Sequence, residues 1–283
     1  MNQQNEQYAS RFHGLWALTN RELKKWYKEP FFLFISIIQP IIWMGLYGRS
    51  MNISSLFTSN PQIPSELADQ FMKQTFGTSD YFSFMAVGML SFTTLFTSMF
   101  SGMSIVWDRR LGFLNKVLST PVARGSIILS KVLSATLRSI VQAAVVLLIA
   151  FALGLKTGIS FHPLNILGVF LVIFLICMGL SALFVLIAIR STKWETQMAI
   201  MNLLNLPLMF ASNTFFPIAN MPEWLQAIAT VNPLSYANDA IRQMLIYDSI
   251  NLQGLLFDFT YLGIFALIFA SVGIVLSWRY LSK

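Results

Sequence analysis

Six stretches of this chain are apolar over enough consecutive residues to cross a bilayer, and polar segments separate them. They run from Phe31 to Gly48, over most of Tyr81 to Trp107, and roughly from Val132 to Leu155, Leu164 to Ile189, Gln197 to Phe216 and Phe259 to Trp278. Each approaches the roughly 20 residues that a helix needs to span the hydrocarbon layer. The pattern predicts an all-α membrane protein of six transmembrane helices, a single membrane domain over 1–283. Ahead of the first span, Phe12, Leu15, Trp16, Leu23, Trp26 and Tyr27 fall on one helical face and Arg21, Lys24, Lys25 and Lys28 on another. Residues 9–29 are therefore expected to form an amphipathic helix on the membrane surface. Pro30 ends it, and Gln39-Pro40 predicts a kink in the first span.

Residues 49–80 read as an outer loop containing Pro61 and Pro64. Between the fifth and sixth spans, Pro217, Pro222 and Pro233 interrupt a segment that still carries Trp224, Leu225, Ile228 and Tyr236. Two short helices resting on or dipping into the outer leaflet fit that composition, within 218–250. The second of them is well specified. Asn232 can accept from backbone N–H groups that lack intrahelical partners, and Pro233 suits the first helical position, where its missing N–H costs nothing.

Composition agrees with a multi-pass protein: 55% of the 283 residues are hydrophobic, only 11% are charged and the mean hydropathy is +0.63, against about 25% charged in soluble domains. The net charge of +7 would suit nucleic acid, but its distribution argues against that partner. Fifteen of the nineteen Lys and Arg flank alternate spans on one side. Arg49, Lys73, Lys156 and Arg242 fall on the other, with seven of the twelve acids. The basic side is cytoplasmic by the positive-inside rule, which places both termini inside. No small-residue cleavage site follows the first apolar run, so no cleavable signal peptide is expected. The single cysteine, Cys177, excludes an internal disulfide.

Little in the chain suggests catalysis. No phosphate-binding loop is present, since Gly154-Leu-Lys-Thr-Gly158 has the wrong spacing, and His13 and His162 are predicted on opposite sides of the membrane. No cofactor or metal is expected here. None of the acids is predicted in mid-span, which argues against ion-coupled transport. The polar groups within the spans are hydroxyls and amides. Ser91, Thr94, Ser98 and Ser101 share one face of the second span among Met89, Phe92, Phe96, Met99, Phe100 and Met103. Asn202, Asn205 and Asn213 lie near one face of the fifth. Two readings fit them: hydrogen bonds between helices, or a path for an amphiphile, with soft Met and Phe surface for its apolar part and weak polar partners for the rest. The cytoplasmic loop at 107–125 carries a short apolar stripe, Leu111, Leu114, Val117 and Leu118, closed by Ser119-Thr120-Pro121. It suits a helix resting on the membrane or one docking a cytoplasmic partner.

Three segments together resemble the permeases of type-two ATP-binding-cassette exporters, particularly the daunorubicin-resistance-like branch. They are Arg21-Glu-Leu through Pro30 with Gln39-Pro40 ahead of Gly48, Gly112-Phe-Leu through Thr120-Pro-Val with Arg124, and Asn232-Pro-Leu-Ser-Tyr through Asp239-Ala-Ile-Arg242. The resemblance implies a half-transporter that dimerises, as a homodimer, and receives a cytoplasmic ATPase subunit on each half, with ATP and Mg bound by that partner. It implies a connecting helix with Arg21, Glu22, Lys25 and Trp26, and a coupling segment with Arg109, Arg110, Gly112, Phe113, Leu114, Lys116, Leu118, Thr120 and Pro121. Spans two and five, with Ser91, Thr94, Ser98, Ser101, Asn202, Asn205 and Asn213, would line the path. Asn232, Pro233, Tyr236, Asp239 and Arg242 would form outer re-entrant helices that cap it. Asn115 stands where the family often has glutamate. The implied activity is ATP-driven export of a drug-like or lipid-like amphiphile across a prokaryotic plasma membrane, in contact with membrane lipids and with no nucleic acid. The long loop at 49–80 favours this over export of a polysaccharide or lipid-linked glycan, and a non-transport membrane protein would not need the docking loop.

Overall fold

The computed structural model describes residues 11–48, 65–120, 122–191 and 193–280, and among them every regular element is helical. The longer elements are α1 (Arg11–Lys28), α2 (Pro30–Trp43), α3 (Ser65–Phe76) and α4 (Tyr81–Arg110). After α5 (Phe113–Leu118) come α6 (Arg124–Ala152), α7 (Asn165–Ala188) and α8 (Trp194–Phe210). The short α9 (Glu223–Ala229) and α10 (Pro233–Leu245) precede α11 (Leu252–Tyr280). Among the described residues four helices are long and apolar enough to cross a membrane: the one containing α4, then α6, α7 and α11. α2 and α8 have 14 and 17 residues and contain Pro40 and Pro207. The irregularity expected at Pro40 appears one turn later, where the helix widens at Met44–Gly48.

α4 is the central helix. Its apolar window is 94% buried, against 22% for that of α11, and α7, α6, α8, α2 and α10 all pack on it. The sequence explains this position, because small residues let neighbouring backbones approach closely in a bundle. Gly102 faces the Phe184 carbonyl of α7 with no room for a methyl group. The hydroxyls of α4 also satisfy themselves one turn back: Thr93 donates to the Met89 carbonyl at 2.7 Å and Thr94 to that of Leu90 at 2.9 Å. α7 forms a second hub, packed against α11, α6 and α10.

Several boundaries differ from the expected ones. The loop at 49–80 contains α3, whose Phe76 ring meets Tyr81 and Phe84 edge-on at 5.4 and 5.2 Å. α6 starts at Arg124, two turns ahead of the apolar run, because its first turns pack against α1 and α5. α8 ends at Phe210, and residues 211–216 are turn and bend. α11 starts at Leu252, so Asp258 lies within a helix and is buried. On α1 the buried positions are Thr19 and Glu22, while Trp16 and Tyr27 are exposed. The face against the bundle thus combines a charged contact with half-buried apolar residues, Leu15, Leu18, Leu23 and Trp26.

Candidate functional site

α4 finishes at Arg110, and Gly112, with φ of +69°, turns the chain back into α5. Only a residue without Cβ adopts that conformation cheaply. The turn seats Leu114 and Val117 in an apolar cluster with Ile105, Ile127, Ile128, Val132 and Val185. Three of the four stripe residues read from the sequence, Leu114, Val117 and the half-buried Leu118, therefore pack on this chain's own helices, whereas Leu111 is 78% exposed. Arg110, Lys116 and Thr120 are also exposed, Gly112, Phe113 and Leu118 are half-buried, and Pro121 lies outside the described residues.

Beside α5 lies a cluster of five charges. Asp108, at 3% exposure, pairs with Lys131 of α6. It also accepts from Arg21 at 3.2 Å and Lys25 at 3.0 Å, both on α1. Glu22, likewise buried, receives Lys131 at 2.9 Å and Arg21 at 2.7 Å. The Arg21 guanidinium lies 3.2 Å from the centroid of the Phe113 ring, a cation–π contact. These bonds fasten α1 to α4, α5 and α6. Of the expected connecting-helix residues, Arg21, Glu22 and Lys25 are all in the cluster, and Trp26 is half-buried on the same helix. Arg109 turns away and donates to the Ile189 and Ser191 carbonyls at 2.6 and 2.7 Å, where it satisfies the open end of α7. A groove of about 400 Å³ along α1 is lined by Asn20, Arg21, Lys24, Lys25 and Lys28.

Within the bundle, Ser91, Thr94, Ser98 and Ser101 are all buried, and the last three reach α6 or α7. Thr94 accepts from Ser139 at 3.0 Å, Ser98 lies 3.4 Å from the Cys177 sulfur, and Ser101 donates to the Lys131 carbonyl at 3.2 Å. Gln142 of α6 bonds Thr97 on one side and Ser36 of α2 on the other, the latter at 2.6 Å. Ser91 Oγ has no hydrogen-bond partner among the described residues. The asparagines do not share a face: Asn205 and Asn213 are buried, Asn202 is exposed. Gln197, absent from the sequence-based set, joins the buried pair.

At the opposite end of the bundle, the break in α8 exposes a need for donors. Pro207 and the irregular stretch at 211–216 leave carbonyl oxygens outside any helical ladder, and each must be satisfied in a region poor in water. Asn232 supplies two donations, to the Leu208 and Ala211 carbonyls at 2.7 and 2.6 Å, while its own carbonyl caps α10 by accepting from Leu234 N–H at 3.0 Å. The fully buried Arg242 donates to the Thr214 and Phe84 carbonyls, each at 3.2 Å, with its guanidinium 3.4 Å from the Phe84 centroid. Asn238 donates to Thr214 Oγ1 at 3.0 Å and Tyr81 to the Phe215 carbonyl at 3.3 Å. α10, which starts at Pro233, is thus bonded to the end of α8 and to α4 as one unit. Tyr236 instead stacks on Tyr261 of α11, ring centroids 4.0 Å apart, and Asp239 and Asp258 both accept from Gln243. Outside this unit, the Lys73 ammonium, 3.0 Å from Asp248, holds that carboxyl below the usual carboxylate range, aided by the Ile159 N–H.

Among the described residues the protein is a helical, multi-pass membrane bundle whose buried polar groups serve helix junctions. Residues 13–246 match the ABC-2 type transporter family, and the chain belongs to it. It is similar to the ycf38 transport permease of Cyanophora paradoxa, 30% identical over 252 residues that cover 88% of this chain and 80% of the relative. The ycf38 protein of Pyropia yezoensis is 32% identical, covering 83% and 74%. The daunorubicin resistance ABC transporter permease protein DrrB1 of Streptomyces coeruleorubidus is 25% identical, covering 59% of each chain.

Proposed function

We propose that this chain is the membrane-spanning half of an ATP-driven exporter. Two copies form a homodimer and bind two ABC ATPase subunits, which hold ATP and Mg on the cytoplasmic side. In this reading α2, α4, α6, α7, α8 and α11 are the six spans of a plasma-membrane permease, with both termini inside, and the cargo is a hydrophobic or amphiphilic molecule moved outward. The observation that carries the proposal is the cytoplasmic junction: α5 is welded to three other helices by Gly112, the Leu114 cluster and the Asp108 ion network. A solvated connection has no use for such rigidity, whereas a platform that passes force from an ATPase into spans two and three requires it. The names of relatives described as drug-resistance and multidrug permeases favour an amphiphilic cargo. The basic groove on α1 suits anionic headgroups of the inner leaflet.

The direct test is purification of the tagged chain in mild detergent. An ABC ATPase is expected to co-purify in equimolar amount, and a permease that emerges repeatedly without one would contradict the proposal. Topology gives an independent expectation in a Cys177→Ser background, Cys177 being fully buried. Thr157→Cys and Ser119→Cys place thiols at exposed positions in the turns after α6 and α5. An impermeant maleimide should label Thr157→Cys on intact cells and Ser119→Cys only after permeabilisation. Labelling of both from outside would refute the arrangement of spans.

A further inference from the structure

Tyr236, Asp239 and Gln243 follow one another along one face of α10, and Asp258 and Tyr261 stand a turn apart on α11, which packs against it. The two faces meet. The Tyr236 ring lies on that of Tyr261, and Gln243 Nε2 donates to Asp239 at 3.0 Å and to Asp258 at 3.3 Å. The two carboxyls also bond each other directly. Asp258 is only 4% exposed, and Asp239 is half-buried.

No cation answers them. Among the described residues neither carboxyl forms an ion pair with Lys or Arg. Arg242 of α10 turns instead to the Thr214 and Phe84 carbonyls. α7, packed on both helices, has no charged residue between Asn165 and Ala188. On α6, Lys131 is held by Asp108 and Glu22, and Arg138 donates to the Ser134 carbonyl and interacts with Glu22. The surrounding phenols are engaged elsewhere: Tyr236 and Tyr261 donate to the Thr230 and Val231 carbonyls and Tyr81 of α4 to that of Phe215. Tyr247 lies against Gly77, and Asp248 pairs with Lys73.

An ionised carboxylate only accepts, so two of them cannot bond each other, and like charges at such a distance resist ionising together. The missing hydrogen must be a proton that the pair retains. We propose that one proton shared between Asp239 and Asp258 closes the seam between α10 and α11 and makes the attachment of these helices pH-sensitive. α10 is bonded to the end of α8 and to α4, whereas α11 is the least buried of the four long apolar helices. The proton thus fastens a peripheral span to the central unit. That the seam faces outward rests on the exporter reading; the shared proton does not.

The test uses the purified chain in an ester-free detergent, at neutral pH. Its infrared spectrum should contain the C=O stretch of a protonated carboxylic acid, absent from Asp258→Asn and altered in Asp239→Asn, which breaks the pair from the other side. Thermal unfolding gives a second readout. The folded pair holds a proton that the unfolded chain releases near pH 4, the ordinary value of about 3.9 for aspartate. From there up to the pair's own titration the folded state binds more protons, so wild-type stability falls as pH rises. Relative to Asp258→Asn, whose amide supplies a permanent donor, the wild-type midpoint should drop by up to about 3 °C per pH unit in that window. Equal pH slopes in wild type and Asp258→Asn, or a carboxylic-acid band that persists in Asp258→Asn, would overturn the proposal. So would a wild-type spectrum without the band and a midpoint raised by calcium or sodium, the result for two ionised carboxylates around a metal cation. None of these readouts involves an ATPase, so the proton and the exporter reading fail separately.

Discussion

Asp108→Ala is expected to cost roughly 3–5 kcal/mol of stability, the usual penalty for stranding a buried ionic partner. In the wild type, Asp108 and Glu22 answer three cations, Arg21, Lys25 and Lys131. Without Asp108, Glu22 faces all three, and the Lys131 side chain, 5% exposed, has no route to water. The midpoint of thermal unfolding in detergent should fall by about 10 °C for a chain of this size, and ATPase coupling should fall with it. Lys131→Met should behave similarly, since it leaves Asp108 to the two α1 cations alone. Combining Asp108→Asn with Lys131→Met should recover much of the loss, because removing both members of a buried pair is often nearly neutral. Single variants that melt within about 2 °C of wild type would show the cluster to be solvated and the junction loose.

The second large effect is expected at Asn232. An N-cap contributes about 1 kcal/mol, but Asn232 also satisfies two carbonyls of the broken α8 end, and each orphaned buried carbonyl costs about 1–3 kcal/mol. Asn232→Ala should therefore lose roughly 3–5 kcal/mol in all. Asn232→Asp separates the two roles. Aspartate caps helices as well as asparagine does, so a pure cap would tolerate it, yet it cannot donate and would set a negative charge against the Leu208 and Ala211 carbonyls. The expected result is that Asp is at least as damaging as Ala, measured by unfolding midpoint and by protease sensitivity of the 211–216 elbow. An Asp variant as stable as wild type would reduce Asn232 to a cap and detach α10 from α8.

These two residues also mark where the sequence is legible. The cap at Asn232, the start of α10 at Pro233 and the basic α1 all follow from local rules, because helix caps, prolines and periodicity act over a few residues. The second role of Asn232 is invisible locally, since its partners lie 21 and 24 residues away. The pairing of Asp108 with Lys131 is invisible locally for the same reason: an ion pair between separate helices leaves no periodic trace, although a single acid amid basic neighbours is a usable signal. The stripe at Leu114 is legible as apolar, but hydrophobicity does not say whether its cover is this chain or a partner. Gln197 escaped because it stands at the charged start of α8, beside Lys193 and Glu195, where an amide looks solvated. α3 lies in a proline-bearing loop whose helical stretch has no long apolar run.

The central proposal is that the platform on α5 faces the cytoplasm and holds an ATPase, and the exposed Leu111 is its most accessible apolar point. A photoreactive phenylalanine analogue placed at Leu111 should, on illumination of the mild-detergent assembly, capture an ABC ATPase chain. The same analogue at Leu114, buried under α5, should yield only intramolecular adducts. Capture of the ATPase from Leu111 and not from Leu114 is the expected result. Adducts to lipid alone at Leu111, in a preparation that still transports, would contradict the account.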